Sequence, residues 1–218
     1  IIVSRKQEAC DAVARRIECM GRYALPVAAN MGKADDIEHL LQVIQSRFKK
    51  IDILVNNAGI NPAIGPLTEL SENLFDKMFS VNVKGPWLLA SKIAPLMADG
   101  GGGSIINILS VAALKAQAYQ GFYCASKAAL QSLTQVMAIE WAPLNIRVNA
   151  IAPGSYRSDL FDSATGIPGF EAAATNASLQ KRIAETDEIL GPVLYLASDM
   201  SRYTTGSTLV ADGGHLLS

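Results

Sequence analysis

The sequence is poor in the features that mark disulfide frameworks and zinc sites. Its three cysteines, Cys10, Cys19 and Cys124, are widely spaced, odd in number and not arranged as C-x-x-C. Such a set indicates neither a disulfide framework nor a metal centre. We therefore expect no metal ion in the protein, and a reducing cytoplasmic location fits best.

A strong charge imbalance and long apolar runs are missing as well. The 19 basic and 20 acidic residues leave a formal net charge of -1, and no basic run could follow a phosphate backbone. No apolar stretch reaches the roughly 18 to 20 residues that a membrane-spanning helix needs. We expect a soluble protein that has neither nucleic acid nor membrane as a partner.

What the sequence does contain is an α/β pattern with enough apolar residues for one large core. With 218 residues and 50% hydrophobic content, the chain is long enough for one domain, 1–218, and too short for two of ordinary size. Apolar runs alternate with helical periodicity, and the run Ser104–Leu109 is apolar on both faces, as expected when helices cover both sides of a parallel sheet. The pattern predicts a doubly wound, Rossmann-like, three-layer α/β/α fold. The least regular stretch, at about 155–180, is predicted to be a flexible substrate lid with short helices.

The strongest chemical signal is the pair Tyr123 and Lys127, at the start of a helix that is predicted to run to about Trp141. A spacing of four places both side chains on one helix face. A tyrosine with its ordinary pKa near 10 exchanges protons poorly at neutral pH, and a neighbouring ammonium that favours the phenolate makes it useful as an acid or base. The alternative is that the pair is merely one face of an amphipathic helix.

Two further polar residues lie where such chemistry could use them. Ser110 follows an apolar strand, at the carboxyl end where open α/β sheets bind ligands, and its hydroxyl could hold a substrate oxygen against the tyrosine. A turn serine or a helix-capping serine is the alternative interpretation. Asn82 lies within a helical pattern, where Asn is mildly unfavourable, and together with Gly85 it indicates a local kink.

The segment Asn56–Gly59 directly follows an apolar strand that ends at Val55. Its small residues lie at the same edge of the sheet and allow a close approach of the backbone to a cofactor. An ordinary turn at the end of a strand is the alternative.

Taken in order, these motifs resemble the short-chain dehydrogenase/reductase family, and in particular its carbonyl-reductase and 3-oxoacyl-reductase branches. The matching segments are Asn56–Gly59, Asn82, Ser110, Tyr123 to Lys127, Ile146–Gly154 and Ala211–Gly214. The resemblance covers essentially the whole chain, and the thirteen-residue step from Ser110 to Tyr123 makes it specific.

The resemblance implies an enzyme that interconverts a carbonyl and a secondary alcohol by hydride transfer with a nicotinamide cofactor. Tyr123 would be the general acid or base, and Lys127 would lower its pKa and bind the nicotinamide ribose. Ser110 would orient the carbonyl, and Asn82 would hold a water in the proton relay. Further cofactor contacts implied by the resemblance are Asn56, Ala58, Gly59, Pro153, Gly154 and Ser158, the last in place of the family's usual threonine.

The choice of cofactor depends on the end of the first visible strand. An acidic residue there would bind the ribose hydroxyls of NAD, but this chain has Ser4, Arg5 and Lys6, whose charges suit the 2'-phosphate of NADP. NADP is therefore expected, with NAD less favoured, and a solvated first helical turn is the alternative interpretation of the two cations. Asn30 stands where the family often has an aspartate near the adenine.

The strand and the glycine-rich T-G-x-x-x-G-x-G turn with which the family opens are absent from this sequence, which begins at Ile1. In this fold the missing strand belongs at the centre of the sheet, so its loss would separate the region 1–28 from the rest and leave two apolar edges unpaired. We expect a natural chain that is roughly 30 to 40 residues longer.

Two functions remain open at this point. An NADP-dependent oxidoreductase that acts on a small carbonyl or alcohol is favoured, and the mostly apolar residues Ala112, Ala113, Leu114 and Gln117 indicate an apolar or aliphatic carbonyl. The alternative is a non-catalytic protein that uses the same fold for binding or assembly. The resemblance also implies a homotetramer or homodimer, formed across the long helices at about 71–97 and 122–141.

Overall fold

The computed structural model describes residues 1–218 as parallel strands flanked by helices. The strands are β1 (Ile2–Ser4), β2 (Pro26–Ala28), β3 (Ile53–Asn56), β4 (Gly103–Ile108), β5 (Ile146–Pro153) and β6 (Thr208–Ala211). The helices are α1 (Gln7–Cys19), α2 (Ala34–Arg47), α3 (Glu72–Phe79), α4 (Gly85–Asp99), α5 (Gly121–Trp141), α6 (Asp159–Asp162), α7 (Phe170–Ala177) and α8 (Leu190–Ala197). None of these helices combines the length and apolar character that crossing a membrane requires.

The central strand β4 shows why helices cover both faces of the sheet. Ile105 packs in the main core, among buried residues of α2, α4 and α5. The next residue, Ile106, packs on the opposite face with Ile151 of β5 and Leu196 of α8. Successive side chains of a strand point to opposite faces, so both faces of β4 are buried. The predicted Rossmann-like α/β fold is confirmed.

The long helix predicted at about 71–97 is one helical run with a local expansion in its middle. Ser71 caps α3, because its Oγ accepts a hydrogen bond from a backbone N–H three residues later. A π-helical turn at Ser80–Lys84 joins α3 to α4 and contains Asn82. A Cβ on Gly85 would lie 2.2 Å from the carbonyl oxygen of Met31, so only glycine permits this close approach. The kink predicted at Asn82 is therefore a π-helical turn, a feature often found at functional sites.

The parallel strands form two separate sheets. One sheet contains β1 and β2, and the other has the order β3-β4-β5-β6, so β1 and β3 each keep one unpaired edge. Between β1 and β3 lies a cavity of about 1000 Å³, called the slot below. Val3, Ile53 and Val55 line the slot and are partly exposed, although parallel strands are normally buried on both faces. The strand pairing thus separates the region 1–28 from the main sheet, as the sequence predicts.

The stretch at about 155–180 contains two short helices, α6 and α7, as predicted. Arg157 forms an ion pair with Glu171 of α7. The rings of Phe161 in α6 and Phe170 in α7 lie 5.2 Å apart between centroids. These contacts hold α6 and α7 against the segment that follows β5, and a function of this stretch as a substrate lid stays a prediction.

Candidate active site

The hydroxyl groups of Ser110 and Tyr123 meet beyond the carboxyl end of β4. Ser110 follows this strand, and its Oγ accepts a hydrogen bond from the backbone N–H of Ala112 at 3.2 Å, which leaves its own O–H free to donate. Tyr123 lies in the first turn of α5 and is buried. Burial raises the pKa of Tyr123 above its ordinary value, and the nearby hydroxyl of Ser110 opposes that rise. The phenol therefore keeps its proton at neutral pH, as a proton donor must.

Lys127 lies one turn further along α5 and is also buried. Its Nζ donates to the carbonyl oxygen of Ile108 at 2.8 Å and lies 5.8 Å from the centroid of the Tyr123 ring. Burial lowers the pKa of Lys127 to about 8. The role of Lys127 in lowering the pKa of Tyr123 stays a prediction, and burial of the ring, which raises that pKa, is the largest effect on it.

Gly59 makes room for the amine of Lys127. A Cβ on Gly59 would lie 3.2 Å from Nζ of Lys127 and 3.6 Å from Oδ1 of Asn82. The loop after β3 therefore lies directly against the lysine. The structure brings together three segments that are far apart in the sequence, namely the Asn56–Gly59 loop, the π-helical turn and α5.

Asn82 ties this loop to the catalytic helix. It is fully buried, and its Oδ1 accepts from the backbone N–H of Ile60 at 2.8 Å while its Nδ2 donates to the carbonyl oxygen of the same residue at 2.9 Å. The Nδ2 group also donates to Oγ of Ser126 in α5 at 3.0 Å. These bonds use all the hydrogen-bonding groups of the side-chain amide apart from one acceptor lone pair. The role of Asn82 in holding a water stays a prediction.

Ser126 and Asn107 are positioning residues that the sequence did not reveal. Oγ of Ser126 donates to the carbonyl oxygen of Tyr123 at 2.8 Å. Nδ2 of Asn107, in β4, donates to Oγ1 of Thr134 at 2.8 Å and so links the strand to α5. A polar residue inside an apolar buried strand is the signal that could have found Asn107, since a buried amide requires a partner.

Most of the predicted cofactor residues line the slot, at or after the carboxyl ends of β1, β2 and β3. The loops that follow β1, β2 and β3 converge there and contribute Ser4, Arg5, Asn30, Asn56, Ala58 and Gly59. Arg5 is exposed and forms no ion pair within the protein, so its guanidinium is available to bind an anionic ligand. Lys6 is exposed too, but it does not line the slot and instead borders the start of α1.

Two of these side chains are already bound within the protein. Nδ2 of Asn56 donates to Oδ1 of Asn107 at 2.8 Å, so the amide nitrogen of Asn56 is engaged in linking β3 to β4. Oδ1 of Asn30 accepts from the backbone N–H of Gly32 at 3.0 Å and closes a turn. The side-chain nitrogen of Asn56 and the side-chain oxygen of Asn30 are therefore already engaged within the protein, whereas the guanidinium of Arg5 is not.

Two residues of the segment after β5, Gly154 and Ser158, have structural roles. A Cβ on Gly154 would lie 2.8 Å from Cα of Asp212, so the glycine is required by the chain that follows β6. Oγ of Ser158 accepts from the backbone N–H of Phe161 at 3.4 Å and caps α6. The roles of Pro153, Gly154 and Ser158 in holding a nicotinamide stay predictions.

Comparison with known proteins shows the family to which the chain belongs. A family model described as Enoyl-(Acyl carrier protein) reductase matches residues 1–215. Dehydrogenase/reductase SDR family member 4 from Homo sapiens is 34% identical over 215 residues, which cover 98% of this chain and 77% of the relative. The chain belongs to the short-chain dehydrogenase/reductase family. The same protein from Bos taurus is 35% identical over 216 residues, covering 99% of this chain and 77% of the relative.

Solved structures of the family superpose closely on this enzyme. A short-chain type dehydrogenase/reductase from Mycobacterium marinum has a TM-score of 0.90 and 34% identity, covering 98% of this chain and 84% of its own. A gluconate 5-dehydrogenase from Burkholderia cenocepacia, in complex with NADP and tartrate, has a TM-score of 0.93 and 30% identity, covering 100% of this chain and 85% of its own. This member of the family is an NAD(P)-dependent oxidoreductase, and the resemblance seen in its motifs is confirmed.

Proposed function

We propose that this enzyme interconverts a carbonyl and a secondary alcohol, with NADP(H) as the hydride carrier and Tyr123 as the general acid or base. The observation that carries the proposal is the buried cluster at the end of β4. There a neutral phenol, a serine hydroxyl with a free proton and a lysine of lowered pKa lie together. Such a cluster can deliver one proton to one oxygen while keeping water away from it.

Each residue has a separate task in the direction of reduction. Ser110 donates a hydrogen bond to the carbonyl oxygen and fixes its position. Tyr123 donates its proton to the same oxygen as negative charge develops there. Lys127, whose pKa is about 8, lies close enough to stabilise the phenolate that remains. When bound, the cofactor supplies the hydride to the carbonyl carbon.

The preference for NADP is proposed on the basis of Arg5. Its free guanidinium lines the slot beside Ser4 and would pair with a 2'-phosphate. Similar solved gluconate 5-dehydrogenases from two organisms are described with NADP. Arg5→Ala should weaken NADPH binding by roughly tenfold to a hundredfold and leave NADH binding unchanged, because a charged hydrogen bond is lost. Arg15→Ala, an exposed arginine of α1 outside the slot, is the control, and an equal loss for both cofactors would contradict the assignment.

A screen of carbonyl compounds tests the function itself. Ketones, 3-oxoacyl thioesters, steroids and sugars are mixed with the protein and NADPH or NADH, and loss of reduced-cofactor absorbance is recorded. Turnover of at least one carbonyl is expected. The alternative, a non-catalytic protein that uses the fold for binding or assembly, predicts no turnover, and failure to bind NADPH, read by its fluorescence, would favour it.

A homotetramer or homodimer is proposed from the exposed apolar residues of two long helices. Trp87 of α4 is partly exposed, and Val136 and Ile139 of α5 are exposed as well. Apolar patches of this kind mark interfaces between proteins. Light scattering after size exclusion should give a dimer or tetramer mass, and Ile139→Lys should reduce it. A monomer at micromolar concentration would contradict the proposal.

Two further proposals concern the complete protein. The slot has an unpaired parallel strand on each side, so we propose that a strand from chain preceding Ile1 fills it. An intact mass above 23.2 kDa for the natural protein is expected, and a mass equal to that value would contradict the idea.

The three free cysteines support a cytoplasmic location, which cell fractionation can test.

A further inference from the structure

Three side-chain amides form a hydrogen-bonded chain beside the catalytic tyrosine. Nδ2 of Asn61 donates to Oε1 of Gln120 at 3.1 Å, and Nε2 of Gln120 donates to Oε1 of Gln117 at 2.6 Å. Gln120 lies three residues before Tyr123, at the start of α5. Asn61 follows Ile60, which packs against the cluster that contains Tyr123. The amide chain therefore links two segments that flank Tyr123, the loop after β3 and the start of α5.

The direction of these bonds leaves an unused group at each end of the chain. Oδ1 of Asn61 is buried and has no hydrogen-bond partner in the protein. At the other end, Nε2 of Gln117 donates to no protein atom. An acceptor and a donor are thus left free, and the acceptor is the informative one, because a buried polar atom without a partner carries a desolvation cost and is rare. The acceptor requires a donor from outside the protein, and an O–H group is a compact donor.

A tyrosine in an unusual backbone conformation lies within the same loop. Tyr119 has a φ of 66°, a region that residues other than glycine rarely adopt. Its carbonyl oxygen accepts from the backbone N–H of Gly65 at 2.9 Å, which holds the turn, and its ring is largely exposed. Strained residues persist near functional sites when their surroundings fix them. Amides next to an exposed aromatic ring are groups that suit a polyhydroxylated molecule, which has both hydroxyls and apolar faces.

We propose that Asn61, Gln120 and Gln117 form a hydroxyl-recognition subsite, and that the substrate is a ketone with at least one further hydroxyl group. A hydroxyl of the substrate donates to Oδ1 of Asn61. This inference rests on the proposed carbonyl chemistry and replaces the expectation of a plain aliphatic carbonyl. The mostly apolar residues near Ala112 gave that expectation, but the sequence did not show that the amides link up.

Matched ketones test the subsite. Reduction of erythrulose, a four-carbon ketone with several hydroxyls, is compared with that of butanone at saturating NADPH. In the unchanged enzyme, kcat/KM should favour erythrulose by about tenfold to a hundredfold, because a site built for a hydroxyl rejects its absence. Asn61→Leu should remove most of this preference through the KM for erythrulose and leave butanone within about twofold. Gln42→Leu, an exposed amide of α2, is the matched control.

The outcomes separate this proposal from the function on which it rests. If Asn61→Leu lowers both ketones equally, or leaves their ratio unchanged, Asn61 serves only the fold or holds only a water, and the subsite is refuted while the carbonyl chemistry stands. If other carbonyls are reduced but erythrulose is not preferred, the substrate class is wrong. If no carbonyl is reduced, the proposed function is refuted. The shift in the melting temperature that erythritol causes then tests the subsite separately. A shift that Asn61→Leu abolishes supports it, and the absence of a shift refutes it.

Discussion

Replacing Lys127 by methionine should stabilise the protein while it removes activity. The lysine is buried in α5, and its Nζ has the carbonyl oxygen of Ile108 as a partner but no carboxylate within ion-pair distance. An ammonium in this position has lost its hydration without gaining a counter-charge. Its burial therefore opposes folding and serves the chemistry.

The size of the effect follows from the pKa of Lys127. Burial lowers this pKa from 10.5 to about 8. At 1.36 kcal/mol for each pH unit, the difference corresponds to about 3 kcal/mol of lost stability at neutral pH. Methionine gives up the bond to Ile108, which costs about 1 kcal/mol. Lys127→Met should thus raise the free energy of unfolding by roughly 2 kcal/mol at pH 7.

The same pKa shift makes the stability difference between the unchanged protein and Lys127→Met depend on pH. The folded protein releases the Lys127 proton near pH 8 and the unfolded chain near pH 10.5, so between these values the unfolded state binds more protons. The stability of the unchanged protein therefore rises with pH in that window relative to the variant. Urea denaturation at pH 7 and pH 10 measures the difference, with Lys49→Met, an exposed lysine, as the control. A difference that is equal at both pH values, or a variant less stable at pH 7, would refute the reasoning.

Two other substitutions probe the supports of the site. Asn107→Leu removes the bonds to two buried polar side chains and should lower the free energy of unfolding by about 2 to 4 kcal/mol in urea denaturation. The control Asn73→Leu alters an exposed residue and should change the free energy of unfolding little. An equal loss for both variants would count against the network. Gly59→Ala places a methyl group 3.2 Å from Nζ of Lys127, so kcat should fall at least about tenfold with little change in Tm. Gly166→Ala, where an added Cβ meets no atom within 4 Å, is its control, and unchanged kcat in Gly59→Ala would show that the lysine moves freely.

Local patterns in the sequence predicted much of the fold and the centre of the site. The helix at about 71–97, the break at Asn82 and the helix that begins near Tyr123 each follow from patterns within a few residues. The grouping of Ser110, Tyr123 and Lys127 follows because the carboxyl ends of parallel strands share one edge of the sheet.

Features that depend on contacts between residues far apart in the chain could not be predicted from the sequence. The bond from the amide of Asn56 to Asn107 in the adjacent strand joins residues 51 positions apart, and the predicted contact of Asn56 with a cofactor stays a prediction. Gln120 likewise meets Asn61 across 59 residues. The pKa of Tyr123 could not be predicted either, since its direction depends on how completely the folded protein buries the ring. Spacing shows which groups are close, but not which of two opposing effects is larger.

The most direct test of the account is the turnover of Tyr123→Phe on any carbonyl that the screen identifies. Loss of the phenolic proton donor should lower kcat by about a hundredfold to ten-thousandfold. The dissociation constant for NADPH should change by less than about threefold, because the ring is retained. Tyr203→Phe, which alters a fully exposed tyrosine, should behave like the unchanged enzyme. If Tyr123→Phe kept most of the activity, Tyr123 would not be the proton donor and the proposed mechanism would be wrong.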